Sequence, residues 1–122
     1  MGEIGIDMKI RVTEFATSLK QAESGEYQAY LLAWSGRTDP DGNIFSFASC
    51  KGPLNYGRFC DAGIDELLNQ ARTAVSVADR KATYEKAAAK ILAEGGVLYL
   101  YHRTLLFAHG PRLDGFKVYP DG

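Results

Sequence analysis

The sequence lacks the residue patterns that mark most enzyme and metal sites. It contains no G-x-S-x-G elbow, Walker loop, G-x-G-x-x-G fingerprint or H-E-x-x-H helix. Asp39, Asp41 and Asn43 match positions of an EF-hand loop, but Ile44 stands at the required glycine and Cys50 at the bidentate glutamate. The sequence therefore predicts no cofactor, no metal site and no catalytic residue, and it disfavours an enzyme.

Long apolar runs and excess charge are also absent. No run approaches the roughly 20 apolar residues that a membrane-spanning helix needs. The balance of 14 Lys+Arg against 15 Asp+Glu gives a net charge of −1, which disfavours a nucleic-acid partner. The first ten residues include Glu3 and Asp7 and show no signal-peptide pattern. With 122 residues, 46% of them hydrophobic, the chain fits one small globular domain or part of one.

The hydrophobic spacing predicts an α/β fold with a mixed sheet flanked by helices. Ile4–Phe15 alternates apolar and polar residues, as a half-buried strand does, and Tyr27–Trp34 is apolar on both faces, as a buried strand is. A helix between them is expected to end at Ser24-Gly25, which gives a strand–helix–strand unit. Val97–Phe107 predicts one or two more strands.

Two further helices are predicted after an irregular segment. Ser35–Phe59 is rich in glycine and proline, and Asp39-Pro40-Asp41-Gly42 has turn chemistry, so an ordered loop is expected. The second helix starts at Ser76 with a capping-box-like pattern and stops at Gly95-Gly96. The apolar stripes of these helices comprise Ile64, Leu67, Leu68, Ala71 and Val75 in the first and Tyr84, Ala87, Ala88, Ile91 and Leu92 in the second.

The end of the chain predicts a continuation. Gly110–Gly122 is turn-rich, with Phe116, Val118 and Tyr119 as candidate edge-strand residues. Pro120-Asp121-Gly122 is a turn signal that normally leads into another element, so a piece of a longer protein is expected, although a frayed terminus would show the same pattern.

The two cysteines admit two interpretations. As free thiols, Cys50 and Cys60 would suit a reducing compartment. As a disulfide they would close a glycine- and proline-rich loop, contribute about 3 kcal/mol by the chain-entropy estimate, and indicate an oxidising compartment. The residues favour the disulfide. His102 and His109, in or beside an apolar segment, are interpreted as structural.

The order of several short motifs resembles the C-terminal part of the extracytoplasmic solute-binding proteins of dipeptide, oligopeptide and nickel ABC importers (solute-binding family 5). The resemblance covers essentially the whole chain. The motifs are, in order, G-x-Y-x-x-x-L-x-x-W ending at Trp34, D-P-D, N-Y with a nearby Cys, I-D-E-L-L, R-x-x-x-Y-x-x-A and G-F-x-V.

This resemblance implies a longer, two-lobed protein with the type II periplasmic-binding-protein fold. Residues 1–109 would form most of the C-terminal lobe, and residues 110–122 would return towards the N-terminal lobe, which is absent from this chain. The implied protein is periplasmic, closes on a peptide or other small solute, and delivers it to an ABC transporter permease. Relatives with a cysteine pair near the N-Y position also support Cys50–Cys60 as a disulfide.

The family's peptide-binding members imply a ligand site around Trp34. Ala33, Trp34 and Ser35 would reach the interlobe cleft, where the backbone beside the Trp pairs with an extended peptide. The indole would supply an apolar wall with one N–H donor. The alternative is that Trp34 simply ends a buried strand. Asn55 lies where the loop returns near the cleft, to contact either the ligand or the loop backbone.

Arg37 departs from the family's pattern. Peptide-binding relatives carry an Asp there that holds the α-ammonium, whereas a guanidinium suits a carboxylate or phosphate. An acidic, peptide-like or opine-like conjugate is therefore a candidate ligand. Alternatively, Arg37 is solvated or paired with Asp39, and Asp39 either orients Arg37 or begins the Asp-Pro turn.

Two competing functions stay open from the sequence. A freestanding cytosolic binding or interaction domain would have reduced thiols and a complete core. An enzyme would need Arg37, Asp39 and His102 to converge. If the family resemblance holds, the isolated chain is expected to bind ligand negligibly and to self-associate through exposed apolar surface.

Overall fold

The computed structural model describes residues 2–119, so the turn predicted at 120–122 lies outside the described residues. It comprises two compact units, divided in sequence between Leu31 and Leu32. A short 3-10 helix spans Gly2–Ile4, and four α-helices follow: α1 Phe15–Ser24, α2 Pro40–Ala48, α3 Ala62–Thr73 and α4 Val77–Glu94. Within residues 2–119, no helix has the length and apolar character to cross a bilayer.

The first unit is organised around α1, whose two ends are capped by local contacts. The Glu14 carboxylate accepts hydrogen bonds from the N–H groups of Ala16 and Thr17 at 2.9 and 3.0 Å, which lower the pKa of Glu14. At the other end Gly25 has a φ of 79°, the left-handed conformation that glycine adopts without steric cost. The predicted helix end at Ser24-Gly25 is confirmed.

The second unit has its core between α3 and α4. Six buried side chains form it: Ile64, Leu68, Ala71, Tyr84, Ala87 and Ile91. All six belong to the predicted stripes; of the other four stripe residues, Leu67 and Ala88 are partly buried, and Val75 and Leu92 are exposed. Val75 lies two residues beyond the end of α3, and Leu92 lies about 100° around the helix from the buried Ile91.

Local capping explains where α3 and α4 begin. The Asp61 carboxylate accepts from the Ile64 N–H at 2.8 Å, and Ser76 Oγ accepts from the Asp79 N–H at 3.0 Å. Ser76 Oγ also donates to the Asp79 carboxylate at 2.9 Å, which confirms the predicted capping pattern. The helix α4 ends before Gly95, as predicted.

The segment predicted as an irregular loop contains α2, so that prediction is wrong for Pro40–Ala48. Asp39 accepts from the Asp41 N–H at 2.8 Å and Pro40 occupies the first turn, where its missing N–H costs nothing. Asp-Pro therefore starts a helix here instead of an isolated turn. Side chains of α2 then pack on the core, namely Ile44, Phe45 and Ala48.

The predicted α/β class, an incomplete type II lobe with a mixed sheet flanked by helices, is wrong. Residues 2–119 contain helices and irregular segments and no strand. The segments predicted as strands are largely exposed; Ile10 is 85% and Leu106 90% accessible. Alternating hydrophobicity sets which face of a strand is buried, but a strand forms only when a neighbouring backbone supplies hydrogen bonds. These segments find no such neighbour among the described residues.

Candidate ligand-binding site

Trp34, the sole tryptophan of the sequence, lies half-exposed at the start of the second unit. Its side chain is braced by Phe47 of α2, whose ring meets the indole edge-on with centroids 4.8 Å apart and planes at 75°. Trp34 keeps 44% of its surface accessible, so it does not end a buried strand. Phe47 also lines a small, largely apolar groove, together with Asn55, Phe59 and Tyr99.

The guanidinium of Arg37 lies over the Trp34 ring. Its central carbon is 5.0 Å from the ring centroid, within the range of a cation–π interaction. Its Nη1 donates to the Ser35 carbonyl at 3.1 Å and the Ser35 hydroxyl at 3.3 Å, with a longer contact to the Gly36 carbonyl. Among residues 2–119, no carboxylate forms an ion pair with this exposed guanidinium.

The backbone of Arg37 is held by one side chain, Asn43 of α2. Asn43 Oδ1 accepts from the Arg37 N–H at 2.6 Å, while Nδ2 donates to the Arg37 carbonyl at 2.6 Å and the Asp39 carbonyl at 3.1 Å. In the sequence, Asn43 stands out only as one position of an incomplete EF-hand pattern. The available signal was that an Asn near a turn commonly bonds backbone groups.

Asp39 pairs with Arg80 of α4 and not with Arg37. The pair is forked, with Arg80 Nη2 2.9 Å from Oδ1 and Nη1 3.1 Å from Oδ2. These donors, followed by the Asp41 N–H, lower the pKa of Asp39. Asp39 thus begins α2 and anchors it to α4, and the alternative in which it orients Arg37 is not seen.

A second set of contacts holds α2 on the core. Arg72 Nε of α3 lies 3.2 Å from Asp41 Oδ1, and its guanidinium lies 4.0 Å from the Phe45 ring centroid. The Tyr84 hydroxyl donates to Asp41 at 3.3 Å. Burial raises the pKa of Tyr84, so the phenol keeps this proton at neutral pH. The helix that braces Trp34 and binds Arg37 is therefore fixed by contacts from both α3 and α4.

Asn55 contacts the loop backbone. Its Nδ2 donates to the carbonyls of Ser49 at 3.0 Å and Phe59 at 2.7 Å, which closes the segment between α2 and α3. Since Nδ2 is engaged in this way, Oδ1 is the atom left for a ligand. Asn55 and Phe47 both line this groove, and Phe47 is the ring that packs against Trp34.

The same loop contains the Cys50–Cys60 disulfide, which confirms that prediction. The Cys50 N–H donates to Asp65 Oδ1 of α3 at 2.8 Å, so the loop is also tied to the helical core. Gly52 is needed in this turn because a Cβ there would clash with the Ser46 carbonyl.

The remaining predicted positions lie apart or are ordinary. Ala33 is exposed beside Trp34, and Ser35 bonds Arg37. His102 lies in an exposed segment, and no contact among the described residues joins it to Arg37 or Asp39. The constellation that an enzyme would need is therefore not assembled. No group of His, Cys, Asp and Glu side chains within residues 2–119 could hold a metal ion.

Comparisons of the sequence with known proteins give a consistent set of relatives. Probable di/tripeptide-binding protein 5 of Pseudomonas aeruginosa (strain UCBPP-PA14) is 33% identical over 126 residues, covering 100% of this chain and 24% of that protein. Oligopeptide-binding protein AppA of Bacillus subtilis (strain 168) is 30% identical, covering 97% of the chain and 22% of the relative. The dipeptide-binding protein of Escherichia coli (strain K12) is 27% identical, with 98% and 23% covered. No protein-family model and no solved structure matches the chain.

These relatives confirm the family resemblance carried by the motif order. All three are named as binding proteins, which confirms the prediction of a binding protein over an enzyme. The chain spans about a quarter of the length of the curated relatives it matches. It belongs to solute-binding family 5, the family of the dipeptide- and oligopeptide-binding proteins.

Proposed function

We propose that this protein captures a peptide or peptide-like solute outside the cytoplasm and delivers it to an ABC transporter permease. The relatives, which are named for binding dipeptides, tripeptides and oligopeptides, support the ligand class. The disulfide supports an oxidising compartment such as the periplasm over the competing cytosolic domain. That the matched quarter forms part of a C-terminal lobe, with a further lobe completing the cleft, stays a prediction.

The observation that carries the ligand proposal is the Arg37 guanidinium stacked on an accessible indole, without a carboxylate partner among residues 2–119. Trp34 offers an apolar wall and an N–H donor, and Arg37 offers paired donors that match a carboxylate. We place the carboxylate, or another acidic group, of the bound solute against Arg37. The backbone of Ala33 and Ser35 would pair with the peptide backbone, and Asn55 would contact the ligand from the groove.

The positive charge of Arg37 indicates which class of solute this position favours. An ammonium group placed beside Arg37 would be repelled, so a free-amine peptide bound amine-first at this position is disfavoured. Peptides bound in the opposite direction, or acidic conjugates of the opine type, satisfy the guanidinium. The two differ in whether a free α-amine is needed elsewhere in the site.

The test uses the protein at its native length, with calorimetric titration of a panel of small peptides. The panel pairs each dipeptide and tripeptide with its C-terminal amide and with its N-acetylated form, and adds an opine. We expect amidation to abolish binding and the Arg37→Ala variant to lose about tenfold to hundredfold in affinity for free carboxylates. Arg112→Ala, which removes an exposed Arg far along the sequence, is the matched control and should bind as wild type.

The outcome that overturns the ligand assignment is unchanged affinity of Arg37→Ala for every free-carboxylate ligand. An Arg37→Asp variant sharpens the test, since the reversed charge should favour ligands with a free amine and disfavour those with a free carboxylate. For localisation, immunoblotting of osmotic-shock fluid and cytosol should find the protein in the shock fluid. A band only in the cytosol would remove the transport role.

A further inference from the structure

We propose that Asn43 is a positioning residue that holds Arg37 against Trp34, so that a ligand meets a preformed cation–aromatic pair. The consequence for ligand binding rests on the function proposed above, whereas the geometric claim can be tested without any ligand. Asn43 itself is not proposed to touch the solute. It acts through Arg37.

The side-chain amide of Asn43 makes three hydrogen bonds to the backbone of residues 37–39. Asn43 binds both backbone polar groups of Arg37, each at 2.6 Å, and adds a bond to the Asp39 carbonyl. An amide that uses its acceptor and both donor directions in this way fixes the conformation of residues 37–39. Gly42 allows the Arg37 side chain to approach α2 closely, because a Cβ there would lie only 3.2 Å from Arg37 Cβ and Cγ.

Asn43 itself lies on α2, a helix that is anchored to both α3 and α4. The start of α2 is joined to α4 by the Asp39–Arg80 pair and to α3 by the Asp41–Arg72 pair. Phe45, two residues beyond Asn43, packs on the buried core. The contacts therefore run from the core through α2 to Asn43, and from Asn43 to the Arg37 backbone.

This anchoring lowers the conformational entropy that is lost when a ligand binds Arg37. A free arginine side chain has many rotamers, and a ligand that orders it must offset the lost entropy. Here the backbone is fixed, and the guanidinium is already placed over the ring and bonded to Ser35. Removing the Asn43 amide should release the Arg37 backbone and move the charge away from the indole while leaving the helical core folded.

The experiment reads the charge beside Trp34 in the 122-residue chain by quenching its fluorescence. Iodide senses local positive charge, whereas acrylamide senses only accessibility, so the ratio of their quenching constants reports Arg37. Because a unit charge at this 5.0 Å separation attracts an anion noticeably even in water, Arg37→Ala should lower the ratio about twofold to fourfold. Asn43→Ala should lower it to a similar value, and the double variant should show no further decrease.

Two more variants keep the outcome decisive. Asn69→Ala removes the same side chain from an exposed position of α3 and should leave the ratio at the wild-type value. If far-UV circular dichroism shows that Asn43→Ala disturbs α2, Asn43→Ser is used in its place. Serine keeps a short hydroxyl acceptor, so Asn43→Ser should give a ratio between those of wild type and Arg37→Ala. The proposal is overturned if Asn43→Ala or Asn43→Ser retains the wild-type ratio with helices intact, or if the effects of Asn43→Ala and Arg37→Ala add.

This readout also separates the two proposals. A lowered ratio in Asn43→Ala, together with wild-type ligand affinity in native-length Arg37→Ala, would support the positioning role and remove the ligand role of Arg37. Weakened ligand binding by Arg37→Ala with an unchanged ratio in Asn43→Ala would do the reverse.

Discussion

At the scale of single residues, Asp39 shows how one carboxylate serves two elements. It caps the first turn of α2 through the Asp41 N–H and accepts two hydrogen bonds from Arg80 of α4. The sequence predicted only a turn at Asp-Pro, whereas the structure has the start of a helix there. The pairing with Arg80 could not be predicted, because Arg80 lies 41 positions away and only the packing of α2 on α4 brings the two together.

The Asp39–Arg80 pair predicts a pH-dependent contribution to stability. The pKa of Asp39 is lowered in the folded chain, so the pair stabilises the fold above the ordinary aspartate pKa of about 3.9 and loses that contribution as the pH falls through the lowered value. Asn caps a helix as well as Asp does, so Asp39→Asn removes the charge and keeps the cap. We expect Asp39→Asn to have a lower melting temperature than wild type at neutral pH, and the two to converge at low pH, where the Asp39 carboxylate is protonated.

The control for this comparison is Asp7→Asn, which removes a highly exposed carboxylate whose nearest lysine nitrogen is 3.7 Å away. Its melting temperature should follow wild type at both pH values. A difference between Asp39→Asn and wild type that persists unchanged at low pH would show that the variant acts through the helix cap and not through the ion pair.

At the scale of elements, three of the four α-helices could be predicted from the sequence, whereas the predicted sheet is not formed among the described residues. The stripe spacing, Ser76 and Gly25 each specify a helix through contacts within a few residues, and these predictions are confirmed. A strand forms only beside a second backbone segment, and the local hydrophobic pattern does not identify that segment. Tyr27–Trp34 and Val97–Phe107 are therefore apolar, as their spacing indicates, but the prediction that they form strands is wrong. The helix α2 was missed because Asp-Pro serves equally as a turn and as a helix start.

The pairing of α3 with α4 predicts a sharp contrast between two leucines. Leu68 is fully buried in this interface, whereas Leu92 is 69% exposed, about 100° around α4 from the buried Ile91. Leu68→Ala should lower the free energy of unfolding by about 2 to 5 kcal/mol, since it removes packed methyl groups and leaves a cavity. Leu92→Ala, the matched control, should change it by less than about 0.5 kcal/mol. Urea unfolding followed by circular dichroism measures both, and equal effects would contradict the assigned core.

At the scale of the whole molecule, the described residues bury few of their apolar side chains. Seven hydrophobic residues are buried, while many large ones are exposed, among them Ile10, Val12, Leu98, Tyr101 and Leu106. These side chains lie in the segments whose pattern predicted strands. A chain that spans about a quarter of its relatives' length has the apolar pattern of a sheet without the neighbours that would cover it. If a further lobe completes the ligand cleft, as proposed above, calorimetric titration should find negligible ligand affinity for the 122 residues alone, compared with the protein at native length.

The same exposure predicts that the isolated chain associates with copies of itself, because apolar segments with unpaired backbone groups offer an edge to a second chain. Sedimentation velocity over a dilution series should show assemblies that dissociate on dilution. Leu106→Lys places a charge on a side chain that is 90% exposed in the Val97–Phe107 segment and should shift the series towards monomer, because a charged edge resists pairing. Leu92→Lys makes the same change on an exposed helix face and should leave association unchanged. Monomer at every concentration in the wild-type chain, or equal effects of the two lysines, would show that these segments do not mediate association.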